Sequence, residues 1–318
     1  MSATDQSRPP QPPQQRQPAG AGPGADIEEK APSRLVPVWR FTVAVLRMPS
    51  GLFGVLVMLG FVVLALACPL FIHPSDLSVT QATGPLLASP RHGYLLGTDP
   101  AGRSVLTLVL WGSRTSLAIG VMATALTMVL GATIGLLAGH FQGHVGRLLM
   151  HVTDWFIALP SLPLAIALAA VLGQGAASIT IAIGVTSWTG TARLVRAQTL
   201  AVEARPFIER ARALGATDTQ LITRQVLPNV MPLILVSSTL TVASAILSEA
   251  TLTFLGLGDP TSVSWGSLLN NAFMQGAVTA GAWWYLVPPG IAILVIVLGF
   301  TLVGRAVEHV LNARVQPR

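Results

Sequence analysis

Long stretches without charged residues divide this sequence. Asp, Glu, Lys and Arg are absent from five of them: 51–72, 115–139, 155–192, 229–248 and 260–304. A helix that crosses a bilayer needs about 20 consecutive, mostly apolar residues. Each stretch is long enough for at least one such helix, and the pattern predicts a protein that crosses a membrane several times.

The two longest stretches must be divided before spans are assigned. The block after Asp154 is interrupted at 173–175 by Gly-Gln-Gly, a cluster typical of a turn. The last span is expected to open at 283–285 with Trp-Trp-Tyr, because aromatic side chains concentrate at lipid interfaces. We predict an all-α, polytopic membrane protein with six transmembrane helices, near 51–72, 115–139, 149–172, 177–196, 230–251 and 283–305.

Composition agrees with this picture. Charged residues make up 10% of the 318 residues and hydrophobic residues 52%, whereas soluble domains carry about a quarter charged residues. The net charge of +6 comes without a basic patch interleaved with aromatic residues, so no nucleic-acid partner is expected. Cys68 is the single cysteine, and the sequence shows no metal-ligand spacing of Cys and His.

The basic residues set the orientation. Of the 19 Lys and Arg residues, only Arg91, Arg103 and Arg114 fall in the predicted outer segments, which places both termini in the cytoplasm. Residues 1–34 are rich in Pro, Gln and Gly, and we predict a disordered cytoplasmic tail there. The transmembrane domain then covers 35–318, with an outer loop at 73–114 and a cytoplasmic loop at 197–229.

The cytoplasmic loop at 197–229 is long and charged. Phe207, Ile208, Ala211 and Leu214 recur with helical spacing and predict one apolar face. A glycine turn at 215 should follow, and then a second short helix, capped by residue 217 or 218 and ending near 228. This helix-turn-helix is either a docking surface for a partner or an ordinary interfacial helix.

The same loop carries a family resemblance. Glu209-Arg210-Ala211, then Gly215, then Leu227-Pro228 resembles the EAA loop of ABC-importer permeases, with Arg210 in place of an alanine and Gln225 in place of an aliphatic residue. In that family the loop forms a coupling helix that sits in a groove of the cytoplasmic ATPase. The resemblance implies that these residues couple the chain to an ATPase: Glu209, Arg210, Ala211, Gly215, Leu227 and Pro228.

Outer segments narrow the resemblance to dipeptide, oligopeptide and nickel permeases. The segment 96–104 (LGTDPAGRS) is similar to their LGTDxxGRD motif, and 254–266 contains their FLGLG and SWG elements. Residue 98 or 99 should cap a helix that has Pro100 in its first turn. The signature residues are Gly97, Thr98, Asp99, Gly102, Arg103, Trp265 and Gly266.

This resemblance carries several expectations. It implies a type I importer permease of MetI-like fold in a bacterial inner membrane, forming half of a translocation pathway for peptides or related small solutes. The implied partners are a homologous second permease, two ATPase subunits and an extracytoplasmic solute-binding protein. ATP and Mg²⁺ are expected on the ATPases and no cofactor on this chain, whose single lysine, Lys30, has no GxxxxGK around it.

Two acidic residues and three histidines need interpretation. Glu249 lies about 28 Å from the inner end of the fifth span at about 1.5 Å per residue, and is either a structural group or a substrate-path residue that meets a peptide's amino terminus. Asp154 is expected to pair with an arginine or a loop amide. His140, His144 and His151 are loosely grouped, and a metal site there is the less favoured alternative.

An ion-gradient-driven secondary transporter is the alternative function.

Topology gives the first test. Reporter fusions at residue 30, within 205–215 and after 310 should report the cytoplasm, and fusions near 90 and 270 the outside, because the basic residues favour the inner face. An outside signal from 205–215 would contradict the assignment, since the docking surface would then face away from ATP.

Overall fold

The computed structural model describes the backbone of residues 38–315 and the side chains of 42–311. The predicted disordered tail, 1–34, lies outside the described residues. The described chain is built from helices and loops and contains no β-strand. The helices are α1 (Val38–Leu46), α2 (Pro49–Phe71), α3 (Pro74–Leu77), α4 (Val105–His140), α5 (His144–Ala158), α6 (Ser161–Leu172), α7 (Ala176–Glu203), α8 (Pro206–Ala213), α9 (Asp218–Leu221), α10 (Leu227–Phe254), α11 (Trp265–Met274) and α12 (Trp283–Val315).

The all-α membrane fold is confirmed, but the count of six spans stays a prediction. Four helical segments of the described chain are long and apolar enough to cross a membrane: Pro49–Phe71, Val105–His140, Asp218–Phe254 and Trp283–Leu311. A fifth is added if α5 and α6 count as one broken span. Helix α7 covers the predicted fourth span and has 28 residues. It is long enough to cross a membrane but is not apolar enough to be counted among these segments.

Two helix boundaries differ from the predicted ones. The single span expected at 149–172 is two helices that bend by 91°, because Pro160 forces the preceding Leu159 into extended backbone (φ −83°, ψ 130°). The second span begins at Val105 rather than 115, and Ser104 caps it by accepting the backbone N–H of Thr107. The charge of Arg114 marked a loop in the sequence, yet that side chain lies over the Trp111 ring on the helix surface, 4.9 Å from its centroid.

A row of glycines lets α4 and α7 pack backbone to backbone. A methyl group built on Gly131, Gly135 or Gly139 would lie 2.6 Å from an atom of α7 in each case. The glycines are spaced by four residues, so they form one face of α4. Small residues at this spacing drive helix association in membranes, where the hydrophobic effect between helices is absent. We call this contact the glycine seam.

The loop at 197–229, called the coupling loop below after its resemblance to the EAA loop, is anchored in a buried apolar cluster beside the seam. Ile208 of α8 is fully buried. The cluster joins it to residues of α4, α7 and the 222–234 segment, namely Met128, Leu136, Val195, Val202, Val226, Val230 and Ile234. Burying a side chain of this size stabilises by about 1.5–3 kcal/mol, so α8 is held against the bundle.

The glycine seam predicts the effect of a substitution. Gly135→Leu should destabilise the folded chain by about 1–3 kcal/mol, because the backbones of α4 and α7 must separate. Thermal unfolding of the purified protein in detergent measures this. The matched control is Gly60→Leu in α2, where nothing lies within 4 Å of the added carbon. Equal stability of the two variants would contradict the role of the seam.

Candidate coupling and translocation sites

Helix α8, which carries the residues that resemble the EAA motif, exposes its charged residues. Glu209, Arg210 and Arg212 are exposed while Ile208 is buried, as the spacing predicts. Leu214, predicted on the apolar face, is 88% exposed. The reason is that α8 ends at Ala213. Leu214 is the C-cap residue, and its side chain no longer lies on the apolar face of the helix. The tip of the loop therefore presents an uncovered leucine beside a row of charges.

Gly215 makes the turn that the sequence predicts. Its φ is +86°, a left-handed conformation that glycine adopts without steric cost. The N–H of Ala216 donates to the carbonyl of Ala211, and that of Gly215 to Arg212, which together form a Schellman motif. Thr217 then caps α9 in a reciprocal capping box with Gln220. The turn thus satisfies the free carbonyls at the end of α8.

The second helix of the loop does not end near Pro228, so the expectation that it would is wrong. The chain is helical without a break from Asp218 to Phe254. Proline lacks an N–H and clashes with the preceding turn, and the chain accommodates this with a π-helical turn over Ile222–Val226. Leu227 and Pro228 therefore lie inside a continuous rod, which carries the coupling turn directly into the membrane-spanning part of α10.

A buried polar cluster under the coupling loop was missed by sequence reasoning. His140 Nδ1 lies 2.6 Å from Glu203 Oε1, and its Nε2 lies 3.2 Å from Asp218 Oδ1. Both nitrogens thus face carboxylates. The partners of His140 are these carboxylates and not His144 or His151, with which the sequence groups it. The available signal was the position of His140 in the last turn of α4, where a cation is favoured.

Asp154 has the arginine partner that was expected. Its Oδ1 lies 2.6 Å from Arg193 Nη2, and both side chains are about half exposed. This pair connects α5 to α7. Exposed pairs contribute about 0–1 kcal/mol to folding stability. The pair therefore orients α5 relative to α7 but stabilises the fold little.

The outer-loop signature shapes a turn and does not cap a helix at 98 or 99. Asp99 is buried and accepts hydrogen bonds from the backbone of Ala101 and Arg103 and from Arg103 Nε. Gly97 and Gly102 have φ values of +68° and +85°. A side chain at Gly97 would also meet the ring of Trp284. The helix cap belongs to Ser104, because Asp99 is occupied in holding the turn.

Arg103 and Thr98 extend this turn to its neighbours. Arg103 Nη1 donates to the carbonyl of Leu77 at 3.0 Å, while its Nη2 lies 2.7 Å from Asp99. Thr98 Oγ1 donates to Pro85 O at 2.6 Å. These residues fix the outer loop onto the start of α4.

Trp265 and Gly266 fix α11 against α10 and α4. The Trp265 ring is buried, and its Nε1 donates to Val109 O at 2.9 Å. A methyl group on Gly266 would lie 2.6 Å from Ala250 O. Glycine at 266 is therefore required for the close approach of α11 to α10.

Glu249 is enclosed at this junction. It is fully buried, and Thr253 Oγ1 donates to its Oε1 at 3.1 Å. Its Oε2 is also buried and accepts no hydrogen bond within 3.5 Å from a described residue, although the hydroxyl groups of Ser116 and Ser264 lie beside the carboxyl group. The carboxyl group therefore does not face an open path in this conformation.

One cavity lies between the predicted outer loop, α4 and α11. It has a volume of about 500 Å³ and does not include Glu249. Its lining mixes polar and apolar groups and includes Arg103, Trp111, Thr115, Thr261, Ser267 and Asn271. Next to the lining residue Pro260, at what we call the rim, hydrogen bonds from the Thr261 side chain and backbone hold the pKa of Asp259 below its usual range. The rim therefore carries an ionised carboxylate over the neutral pH range.

Structural comparison shows the fold. The chain resembles an inward-facing structure of the MetNI methionine ABC transporter with a TM-score of 0.52 and 19% sequence identity, over 64% of this chain and 96% of that one. At this identity the likeness concerns the fold alone, and it confirms the predicted MetI-like permease fold.

Sequence comparison gives the family. The chain is 36% identical over 301 residues to the di/tripeptide transport system permease protein DppC of Pseudomonas aeruginosa, covering 92% of this chain and 97% of that protein. It is 35% identical over 228 residues to the glutathione transport system permease protein GsiD of Pectobacterium atrosepticum, covering 71% and 75%. Residues 131–317 match the family model of binding-protein-dependent transport system inner membrane components. The chain belongs to this family and is a permease subunit of an ABC importer in the inner membrane.

Proposed function

We propose that this permease forms half of a pathway for di- or oligopeptides, glutathione-like peptides or related small solutes, driven by separate ATPases. The observation that carries the proposal is the coupling loop: an exposed, charged helix, a glycine turn and a rod that continues into the membrane. Relatives named for di/tripeptide and for glutathione transport support a peptide solute. A secondary transporter would need an ion path, and the family assignment removes the reason to invoke one.

The proposed partners follow the same logic. Two cytoplasmic ATPases take the coupling loops of this chain and of a homologous second permease, and an extracytoplasmic binding protein delivers the solute. We propose that this chain itself catalyses no reaction and that ATP and Mg²⁺ stay on the ATPases.

The assembly is tested by purification and transport. The tagged chain, expressed with its partner subunits, should retain two nucleotide-binding subunits in detergent. Proteoliposomes loaded with ATP should then accumulate a radiolabelled dipeptide only when binding protein is present. Retention of no ATPase, or uptake that follows an ion gradient without ATP, would contradict the proposal.

Gly215→Val tests the coupling turn. Valine at φ +86° is strained by about 1–3 kcal/mol, so we expect an inserted complex in which ATP hydrolysis no longer drives full uptake. The control is Gly190→Val in α7, where nothing lies within 4 Å of the added carbon and φ is helical. Fully coupled transport by Gly215→Val would contradict the role of this turn.

We further propose that Glu249 receives the amino group of a peptide when α11 moves away from α10. Its unpaired buried Oε2 is an acceptor that an ammonium group satisfies.

Glu249→Gln should therefore lower dipeptide uptake about tenfold, because a charged hydrogen bond is lost, while complex assembly is unchanged. The control is Glu308→Gln, at an exposed position of α12. Loss of the variant from the membrane would show a structural role, and unchanged uptake would exclude Glu249 from the path.

A further inference from the structure

Four polar side chains from four helices meet where the coupling loop joins the bundle. They are His140 at the end of α4, Glu203 at the end of α7, Arg212 in α8 and Asp218 at the start of α9. His140 contacts Glu203 and Asp218 at 2.6 and 3.2 Å, and Arg212 Nη2 lies 3.2 Å from Glu203 Oε2. We call this group the coupling clamp.

The centre of the clamp is buried and its edge is open. The side chains of His140 and Glu203 are 2% and 5% exposed, whereas Arg212 and Asp218 are more than half exposed. Breaking a buried charged pair by removing one partner is far more costly than breaking a surface pair. The His140–Glu203 contact is thus the fixed part, and the other two contacts attach the loop to it.

Hydrogen-bond chemistry specifies how the clamp is completed. Ionised carboxylates only accept hydrogen bonds, and each imidazole nitrogen faces one. His140 Nδ1 engages Glu203 Oε1, and Arg212 Nη2 donates to Glu203 Oε2, so both oxygens of the buried carboxylate have a partner. Such charge-assisted hydrogen bonds are shorter and stronger than neutral ones, which agrees with the 2.6 Å separation of His140 Nδ1 and Glu203 Oε1.

The clamp lies at the end of the glycine seam. Gly139, next to His140, packs against Thr199, so α4 and α7 cannot separate there without losing a close contact. Arg196 Nε of α7 also donates to Ala138 O of α4 at 3.4 Å. Because Glu203 closes α7 one turn further on, a force on the clamp acts on α4 and α7 together.

We propose that His140 and Glu203 are positioning residues that make the coupling helix α8 move as one body with α4 and α7. This inference rests on the proposed function. Arg212 ties α8 to Glu203, and Asp218 ties the α10 rod to His140, so both arms of the loop are joined to one buried pair. Displacement of α8 by an ATPase then shifts α4, α7 and α10 in concert. Without the clamp, α8 tilts while the membrane helices stay in place.

The test separates coupling from stability. Glu203→Gln removes the charge with little change of shape, and His140→Asn keeps a donor near the Nδ1 position but loses the contact to Asp218. In the reconstituted complex we measure labelled dipeptide imported per ATP hydrolysed. Glu203→Gln should lower this ratio by about fivefold or more, which is the lower end of the coupling factors typical of two linked sites. The loss for His140→Asn should be smaller. Arg212→Gln, at an exposed position, gives the same readout if the buried variants fail to fold.

The matched control is Asp154→Asn, which breaks the exposed 2.6 Å pair with Arg193 away from the loop and should leave the ratio unchanged. A purely structural clamp lowers yield and melting temperature but not the ratio in the folded remainder, and that result would overturn the inference. A wild-type complex without bound ATPases would instead refute the proposed function, so the two failures are distinguishable.

Discussion

The close contact of α4 with α7 is the constraint on which the rest of the structure depends. Three glycines, Gly131, Gly135 and Gly139, let the two backbones approach to distances that any side chain would prevent. In lipid, this packing replaces the hydrophobic effect as the source of helix association. It brings the C-terminal ends of α4 and α7 side by side, and there His140 reaches Glu203. The coupling loop is therefore attached to a pair of helices that act as one element.

The two faces of the membrane are built on different principles. On the side predicted to be cytoplasmic, the loop exposes α8, and its second helix continues without a break into α10. On the outer side, Asp99 and Trp265 lock short segments against the helix ends by buried hydrogen bonds. Between them, Glu249 is closed off in this conformation. Buried polar groups thus lie at both ends of the bundle, His140 and Glu203 under the loop and Asp99 and Glu249 at the other end.

The sequence predicted elements whose signals are local. The residue types of Gly215 and Thr217 predicted the turn and the helix cap that they form. Charge-free stretches indicated the membrane spans, because burial in lipid excludes charge. It misplaced features that depend on tertiary contacts: Arg114 belongs to a helix because it packs on Trp111, and Pro228 lies within a rod because a π-helical turn absorbs it. The His140–Glu203 pair was invisible because its members are 63 residues apart. The position of His140 at the end of α4 is a local signal, but the identity of its partner depends on the tertiary contact between α4 and α7.

The central claim is that the tip of the coupling loop sits on an ATPase subunit. Cys68 is the single cysteine of the chain, so a Cys68→Ala background leaves one introduced thiol to follow. Leu214→Cys, at the exposed tip, should be crosslinked by a short thiol-reactive photoprobe to a nucleotide-binding subunit in the assembled complex, with a yield that changes when ATP is added. Labelling of the same thiol by a membrane-impermeant reagent from the outer face, with no crosslink to an ATPase, would contradict the account.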